Sequence, residues 1–364
     1  MMDLPFLLRG QDESFVLTGR SFDFQTRMAA VFGERLGRAP TEAAPILILT
    51  RADDREADAV SLSLAARGVP YLRLDADRLP AATTAVNLCE GLDTAERSIG
   101  LSGQETLCPR VIWFRRFDPE AIPSPRSDDP VVSTFAQSEW YLAVRGLLAG
   151  TEARWMNHPS AVRALDRVTQ LGLARSIGLD TPATLVSNDP AKIRTFIASH
   201  SGKAIAKALG QHFVETPPGT LHGVFPRLVT EADTADLDAA ALVPSIFQEY
   251  VPHTAEVRVT VIGRLIIAAR ISKAGPEDIW QRPDEILVEE HSLPDSLRNA
   301  LLGYMKAAQL EYGAFDLLVD AEGRYVFLEV NPEGDWMWLE DRNEHIDVTE
   351  KISSHIVGMI KEGA

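Results

Sequence analysis

Residues 314–331 read AFDLLVDAEGRYVFLEVN, two apolar runs of period two separated by a turn-forming stretch from Asp320 to Gly323. Alternation over runs of this length marks half-buried strands, and a short Gly-containing link marks a hairpin. Asp316, Glu329 and Asn331 break into these otherwise apolar strands. Pairing across the turn sets Asp316 opposite Phe327 and makes Glu329 its diagonal neighbour on the same face, roughly 7–8 Å away at the backbone. Asn331 shares that face, because side chains alternate along a strand. Two carboxylates and an amide oxygen are hard ligands suited to Mg²⁺, which keeps waters and binds substrate phosphates as well. The outer face of an ordinary hairpin would carry the same residues, but it has no need of the rigid Asn-Pro-Glu-Gly exit at 331–334.

A metal that carries phosphates needs cations around it. Lys207 in AIAKALGQ, Arg258 in EVRVTV and Arg270 in LIIAARI all lie in strand-like runs upstream. The glycine after Lys207 opens a loop of the kind that covers phosphates. Arg258 alternates with Glu256 and Thr260 and shares their face. FQEYVP, at 247–252, reads as a linker whose backbone can pair with an adenine edge. Lys203 and His253 read as solvated. Of Trp336 and Trp338, at least one belongs to the core, and a wall of a peptide groove is the sharper reading for the other.

At 364 residues the chain is expected to form two or three packed units. GRAPTEAAP, at 37–45, reads as a linker. ILILT, an acidic helical stretch and VPYLRLDAD then form strand, helix and strand, the opening of a parallel α/β unit. RVIWFRRF at 110–117 adds a strand, and 133–150 an amphipathic helix that closes this unit. From Trp155 onward a Pro-marked start, one long helix stopping at Gly178, and several strands follow. No run of about 18 uncharged apolar residues predicts a membrane span. The net charge of −16 excludes general affinity for nucleic acid or anionic membranes. Two cysteines without metal-ligand spacing, and no secretory signal, suit a cytoplasmic protein.

The strand lysine, QEYV, EVRVTVIG, the Asp-bearing strand and Glu-x-Asn, in that order over about 155–340, resemble the ATP-grasp ligases. ILILTRADDREADAV, WMNHP, QLGLARSIGLDTPATLVSNDP and FLEVNPEGDWMWLE more narrowly resemble the graspetide, or microviridin-type, peptide maturases, from Ile46 to the C-terminal helix. The resemblance implies an α/β ATP-grasp fold with an extension and linker over 1–44, a parallel α/β domain over 45–153, a central lobe over 154–245 and a C-terminal lobe over 246–364. Nucleotide would lie between the two lobes. ATP and Mg²⁺ are the implied cofactors, with Asp316, Glu329 and Asn331 on the metal. Lys207, Arg258 and Arg167 would contact phosphates, and Gln248, Glu249, Tyr250 and Val251 would line the adenine site; from their strand positions Arg270 is read as joining Lys207 and Arg258 in catalysis and Glu256 as lying beside the cofactor. A precursor peptide with a leader segment is the implied partner, touching Arg282, Asp335 and Trp336, and a homodimer the implied assembly. The implied reaction activates Asp or Glu side chains as acyl phosphates, which hydroxyls or amines then attack to close ester or amide rings.

The chain departs from the family pattern in places. Arg167 stands where the family carries Lys, which changes reach and donor geometry. The family's Gly-Gln-Trp reads Gly334-Asp335-Trp336, an expected lysine is His253, and the Asp-Trp-Arg motif is displaced to Asp278 and Arg282. Two other readings stay open: a ligase of the RimK or glutathione synthetase kind acting on amino acids or a protein tail, and a peptide-binding module that has lost catalysis. DLPFLLRG, at 3–10, loosely resembles the leader motif itself, although an ordinary N-terminal arm is the plainer reading.

Overall fold

The computed structural model describes residues 45–79, 84–89, 96–101, 109–118, 122, 129–149, 151–210, 213–216, 220–223, 226–273 and 285–362. The N-terminal arm, and with it the leader-like segment, lies outside them, as do Asp278 and Arg282.

The first described unit is a parallel sheet of order β2-β1-β5-β6, formed by β1 (Ile46–Thr50), β2 (Tyr71–Asp75), β5 (Val111–Phe114) and β6 (Arg154–Met156). The central strands β1 and β5 are almost wholly apolar because both their faces are covered. Ile46, Ile48, Val111 and Trp113 pack with α1 (Arg55–Ala66), while Leu47, Leu49, Ile112 and Phe114 pack with α2 (Pro130–Ala149). β3 (Thr84–Cys89) and β4 (Glu96–Leu101) form a separate hairpin.

The single long helix expected after the Asn-His-Pro start is two helices, α3 (Pro159–Ala164) and α4 (Arg167–Ser176). Leu165 leaves the helical region, and Asp166 caps α4, its carboxylate accepting from the Val168 and Thr169 amides at 2.8 and 2.9 Å. Aspartate competes with the helix backbone and is favoured as an N-cap, so it breaks the run where the pattern alone continues it.

Two antiparallel sheets follow. The central one has the order β11-β8-β12-β7, from β7 (Thr184–Ser187), β8 (Lys203–Lys207), β11 (Arg227–Thr230) and β12 (Ser245–Glu249), with the hairpin of β9 (Phe213–Thr216) and β10 (Thr220–Gly223) beside it in sequence. α5 (Pro190–Ser199) and a 3₁₀ helix (Glu231–Leu242) cover one face through Ile193, Ile197, Ala204, Ala206, Leu237 and Phe247. The opposite face carries Lys203, Ile205, Lys207 and Gln248. The C-terminal sheet has the order β15-β14-β13-β16-β17. Its strands are β13 (Ala255–Ile262), β14 (Leu265–Ser272), β15 (Leu287–Glu290), β16 (Tyr312–Val319) and β17 (Tyr325–Asn331), with α6 (Asp295–Ala308) between β15 and β16. Val257, Val259, Val261, Phe315, Leu317 and Phe327 meet α6 and α4 on one face. The chain ends in α7 (Met337–Glu340) and α8 (Val348–Glu362), and α8 packs into the same core as α1.

At the carboxyl ends of β1 and β5 the apolar pattern stops abruptly at Arg115, whose side chain is only 2% exposed. Its Nε donates to Asp54 at 2.9 Å, and Asp54 also accepts from the Thr50 hydroxyl and caps α1 through the Ala57 amide. Burial pushes the Asp54 carboxyl up, but Arg115 and Thr50 outweigh it and hold it below its ordinary value. Asp54→Ala would leave the Arg115 charge short of a partner and cost about 3–5 kcal/mol, read as a lowered urea midpoint. A carboxyl with a depressed folded value contributes fully above its unfolded pKa of about 3.9. That contribution is lost as pH falls through the folded value, so the gap between variant and parent should close only in strong acid.

Candidate phosphate and metal site

The C-terminal sheet gathers Glu256, Arg258, Asp316, Glu329 and Asn331 on one face. Asp316 pairs directly with Glu329, and Leu317 with Phe327, so Leu328 is an extra residue in a bulge at this point. The expected pairing of Asp316 with Phe327 is therefore corrected: the bulge brings the two carboxylates from diagonal to directly opposite positions. Like charges so placed repel each other. Burial pushes the Asp316 carboxyl above its ordinary value; Arg258 pulls it back, and Glu329 adds to the rise. Arg258, opposite Asp316 on β13, donates from Nη1 to both carboxylate oxygens at 2.9 Å. Its Nε is buried with no hydrogen-bond partner among the described residues.

Cations from two other elements complete the cluster. Arg167, the first residue of α4, approaches Glu329 with Nε at 3.4 Å and donates to the Ala208 carbonyl next to Lys207. Gln170, one turn further on, accepts from the Val330 amide at 2.9 Å and so fixes α4 against β17. Lys207 reaches in from β8. Burial lowers its ammonium below the ordinary value, Glu329 and Asp316 oppose that drop, and Arg167 adds to it. Three cations thus surround two opposed carboxylates at the junction of two sheets. Among the described residues no group of three His, Cys, Asp or Glu is placed to hold a metal ion. The donor set is instead two carboxylates and the Asn331 amide, hard oxygens that fit a divalent cation with open positions, and such a cation would relieve the carboxylate repulsion.

The loop after β17 is braced from several sides. The buried Asn157 amide donates to the Tyr312 and Pro332 carbonyls at 2.8 Å each, and its oxygen accepts from the Glu311 and Tyr312 amides. The Tyr312 hydroxyl donates to the Gly334 carbonyl at 2.7 Å. Arg115 and Arg116 both engage the Asp335 carboxylate.

The fold is shared with solved enzymes. The macrocyclase MdnC of Microcystis aeruginosa MRC, bound with its precursor peptide MdnA, is 27% identical with a TM-score of 0.74, over 86% of this chain and 99% of that one. The Chryseobacterium gregarium RiPP-associated ATP-grasp ligase, in complex with ADP and a leader and core peptide, is 26% identical with a TM-score of 0.76, over 88% and 97%. The chain is an ATP-grasp ligase. The macrocyclase MdnB of the same Microcystis strain gives 26% identity and a TM-score of 0.70, over 86% and 98%. No family model matches the ligase sequence, and no curated protein does.

Within the ligase, Arg167, Lys207, Arg258, Asp316 and Glu329 meet, with Asn331 one alternation beyond Glu329. Gln248 is buried, its amide donating to the Thr184 hydroxyl at 3.1 Å on the sheet face that carries Lys207. Glu249 accepts from the Ala183 amide at 3.2 Å, Val251 accepts from His253 at its carbonyl, and the Tyr250 ring lies 5.8 Å from the Lys203 ammonium. Glu256 is held by Lys273 at 2.8 Å.

Two expectations are corrected. Arg270 opposes Val257 and so lies on the opposite face from Arg258, where it donates to the Thr254 carbonyl at 3.3 Å. An arginine two strands away in sequence reaches the site only if the register puts it on that face. Trp336 is 1% exposed, packed against Trp113 and Tyr312 beneath the Arg115 guanidinium, so it is a core residue and not a groove wall. Asp335 is held between two arginines, with its side chain 32% exposed.

Sequence reading passed over Arg115, Arg116, Asn157 and Gln170. The signal for the first two is a charged doublet closing an apolar strand, in RVIWFRRF, and Asn157 and Gln170 lie in the WMNHP and QLGLARSIG runs that carry the family resemblance, neither with a role of its own. Gly334 is another requirement of the site. A Cβ there would lie 2.7 Å from Arg258 Nη2 and 2.7 Å from the Ala314 Cβ. Gly334→Ala should therefore displace Arg258 and weaken nucleotide binding about tenfold or more, measured by calorimetric titration with ADP and Mg²⁺, while cooperative unfolding is retained.

Proposed function

We propose that the ligase activates Asp or Glu side chains of a ribosomally made precursor peptide with ATP and joins them to side-chain hydroxyls or amines, closing ester or amide rings. The observation that carries this reading is the pair of opposed carboxylates, Asp316 and Glu329, ringed by Arg167, Lys207 and Arg258, in a chain whose similar structures hold precursor peptides and ADP.

In this reading Asp316, Glu329 and Asn331 hold Mg²⁺, which supplies charge neutralisation between the phosphates. Lys207 and Arg167 approach the phosphates from the central lobe and α4, and Arg258 turns its unpartnered Nε to them from the C-terminal lobe. Gln248 to Val251 line the adenine pocket. A carboxylate is a poor electrophile, and phosphorylation gives it a good leaving group. The substrate carboxylate oxygen attacks the γ-phosphorus as ADP leaves; a hydroxyl or amine then attacks the carbonyl as phosphate leaves, and the peptide has lost one water. The cations stabilise charge that spreads over the transferred group, and their fixed positions are what the protein contributes.

Asp335, Arg282 and the leader segment of the precursor belong to this reading as peptide contacts, and a homodimer as its assembly. In this reading the domains span 45–153, 154–245 and 246–364, although β6 joins the first sheet and β12 the central one. The deciding experiment incubates the ligase with the peptide encoded beside its gene, ATP and Mg²⁺, and reads the intact mass. Losses of 18 Da that vanish in Glu329→Gln are expected. An unchanged mass with ATP consumed on free amino acids would favour an amino acid ligase, and no ATP use at all would favour a binding module.

A further inference from the structure

The proposed site lies between the central and C-terminal lobes, yet its exit loop is held by the N-terminal unit. Arg115 Nη1 donates to the Glu333 carbonyl at 2.8 Å and to the Gly334 carbonyl at 3.3 Å. The same guanidinium binds the carboxylates of Asp54, Glu56 and Asp335 and covers the Trp336 ring. Arg116 follows in the left-handed region, at φ 51°, unusual for a residue with a side chain. That turn points its backbone amide at the Glu333 carboxylate, at 3.1 Å, and its Nη2 at both Asp335 oxygens, at 2.6 Å each.

The loop held in this way hydrogen-bonds to two side chains of the site. Its Glu333 amide donates to Asn331 Oδ1 at 3.0 Å, and its Asp335 carbonyl accepts from Arg258 Nη2 at 3.3 Å. By contrast, the Asp316–Glu329 pairing is set by the sheet. Moving the loop would misaim Asn331 and Arg258 and leave the two carboxylates in register.

We propose that Arg115 is a positioning residue for the metal and phosphate site: the N-terminal unit, through the Arg115–Arg116 clasp on Glu333, Gly334 and Asp335, sets Asn331 and Arg258 for Mg²⁺ and nucleotide. This rests on the reading that Asp316, Glu329 and Asn331 hold the metal. An arginine is required because one planar fork serves two carbonyls and three carboxylates at once, whereas a lysine is a point charge with one short reach.

The test is calorimetric titration of the full chain with ADP at stepped Mg²⁺, for the parent, Arg115→Lys and Asp335→Asn, with unfolding curves for each. Arg115→Lys should need about tenfold more Mg²⁺ for half-maximal ADP binding, and Asp335→Asn should shift the same way by a smaller factor. In both, ADP affinity without Mg²⁺ should fall as well, by a smaller factor than the Mg²⁺ requirement rises, because Arg258 is held by the same loop. If Arg115→Lys does not fold, Asp335→Asn, which preserves shape, decides on the same criterion. Folded variants with lower stability and an unaltered Mg²⁺ requirement would make the clasp merely structural and overturn the proposal. A parent protein whose ADP binding ignores Mg²⁺ would remove the metal reading and the proposal with it, an outcome distinct from the first because it appears without any substitution.

Discussion

One guanidinium, that of Arg115, joins parts of the chain that lie more than two hundred residues apart. It satisfies the acid that caps α1, two carbonyls of the loop after β17 and a carboxylate of that loop, over the face of a core tryptophan. A buried charge is costly to remove from water, and its partners repay that cost only when the geometry is complete. The consequence is a strong dependence on geometry: the parallel sheet and the C-terminal sheet cannot slide past each other without leaving a charge unpaired. The contact lies at the carboxyl ends of β1 and β5, between which the strand order changes direction, the place where open α/β sheets commonly form their crevices.

The proposed site is built on the opposite principle. There the charges are deliberately uneven, with three cations around two carboxylates that face each other across a bulge. Burial shifts both kinds of group toward neutrality, raising the Asp316 carboxyl and lowering the Lys207 ammonium. Such groups are held in tension by the fold rather than relaxed by it, and a divalent cation with phosphates would supply the missing counter-charge. Perturbed groups of this kind collect where chemistry is done, because interactions that pay off only with ligand present are of no use to stability alone.

Much of this was legible in the residues. The apolar β1 run, the acidic α1 stretch and the hairpin of Asp- and Glu-bearing strands each announce themselves by period and turn chemistry. The bulge at Leu328 was not legible, since nothing in YVFLEVN distinguishes an extra residue from regular alternation, and one residue of register separates a diagonal pair from an opposed one. Arg270 was misassigned for a related reason: Arg258 and Arg270 sit in similar strands, and only the pairing of Val257 with Arg270 tells which face each takes. Asp166 broke a helix that periodicity continued, a local hydrogen bond prevailing over an apolar pattern.

The sequence by itself determined the strands, the hairpins and the residue types of the proposed metal site, because alternation and turn residues act over a few positions and need no distant partner. Tertiary structure decided which charges meet. Arg115 reaches Asp335, Arg167 reaches Glu329 and Lys207 comes close to both carboxylates across separations that no local pattern encodes. Those encounters depend on how sheets and helices pack, and packing is set by the sum of many weak apolar contacts rather than by any one segment.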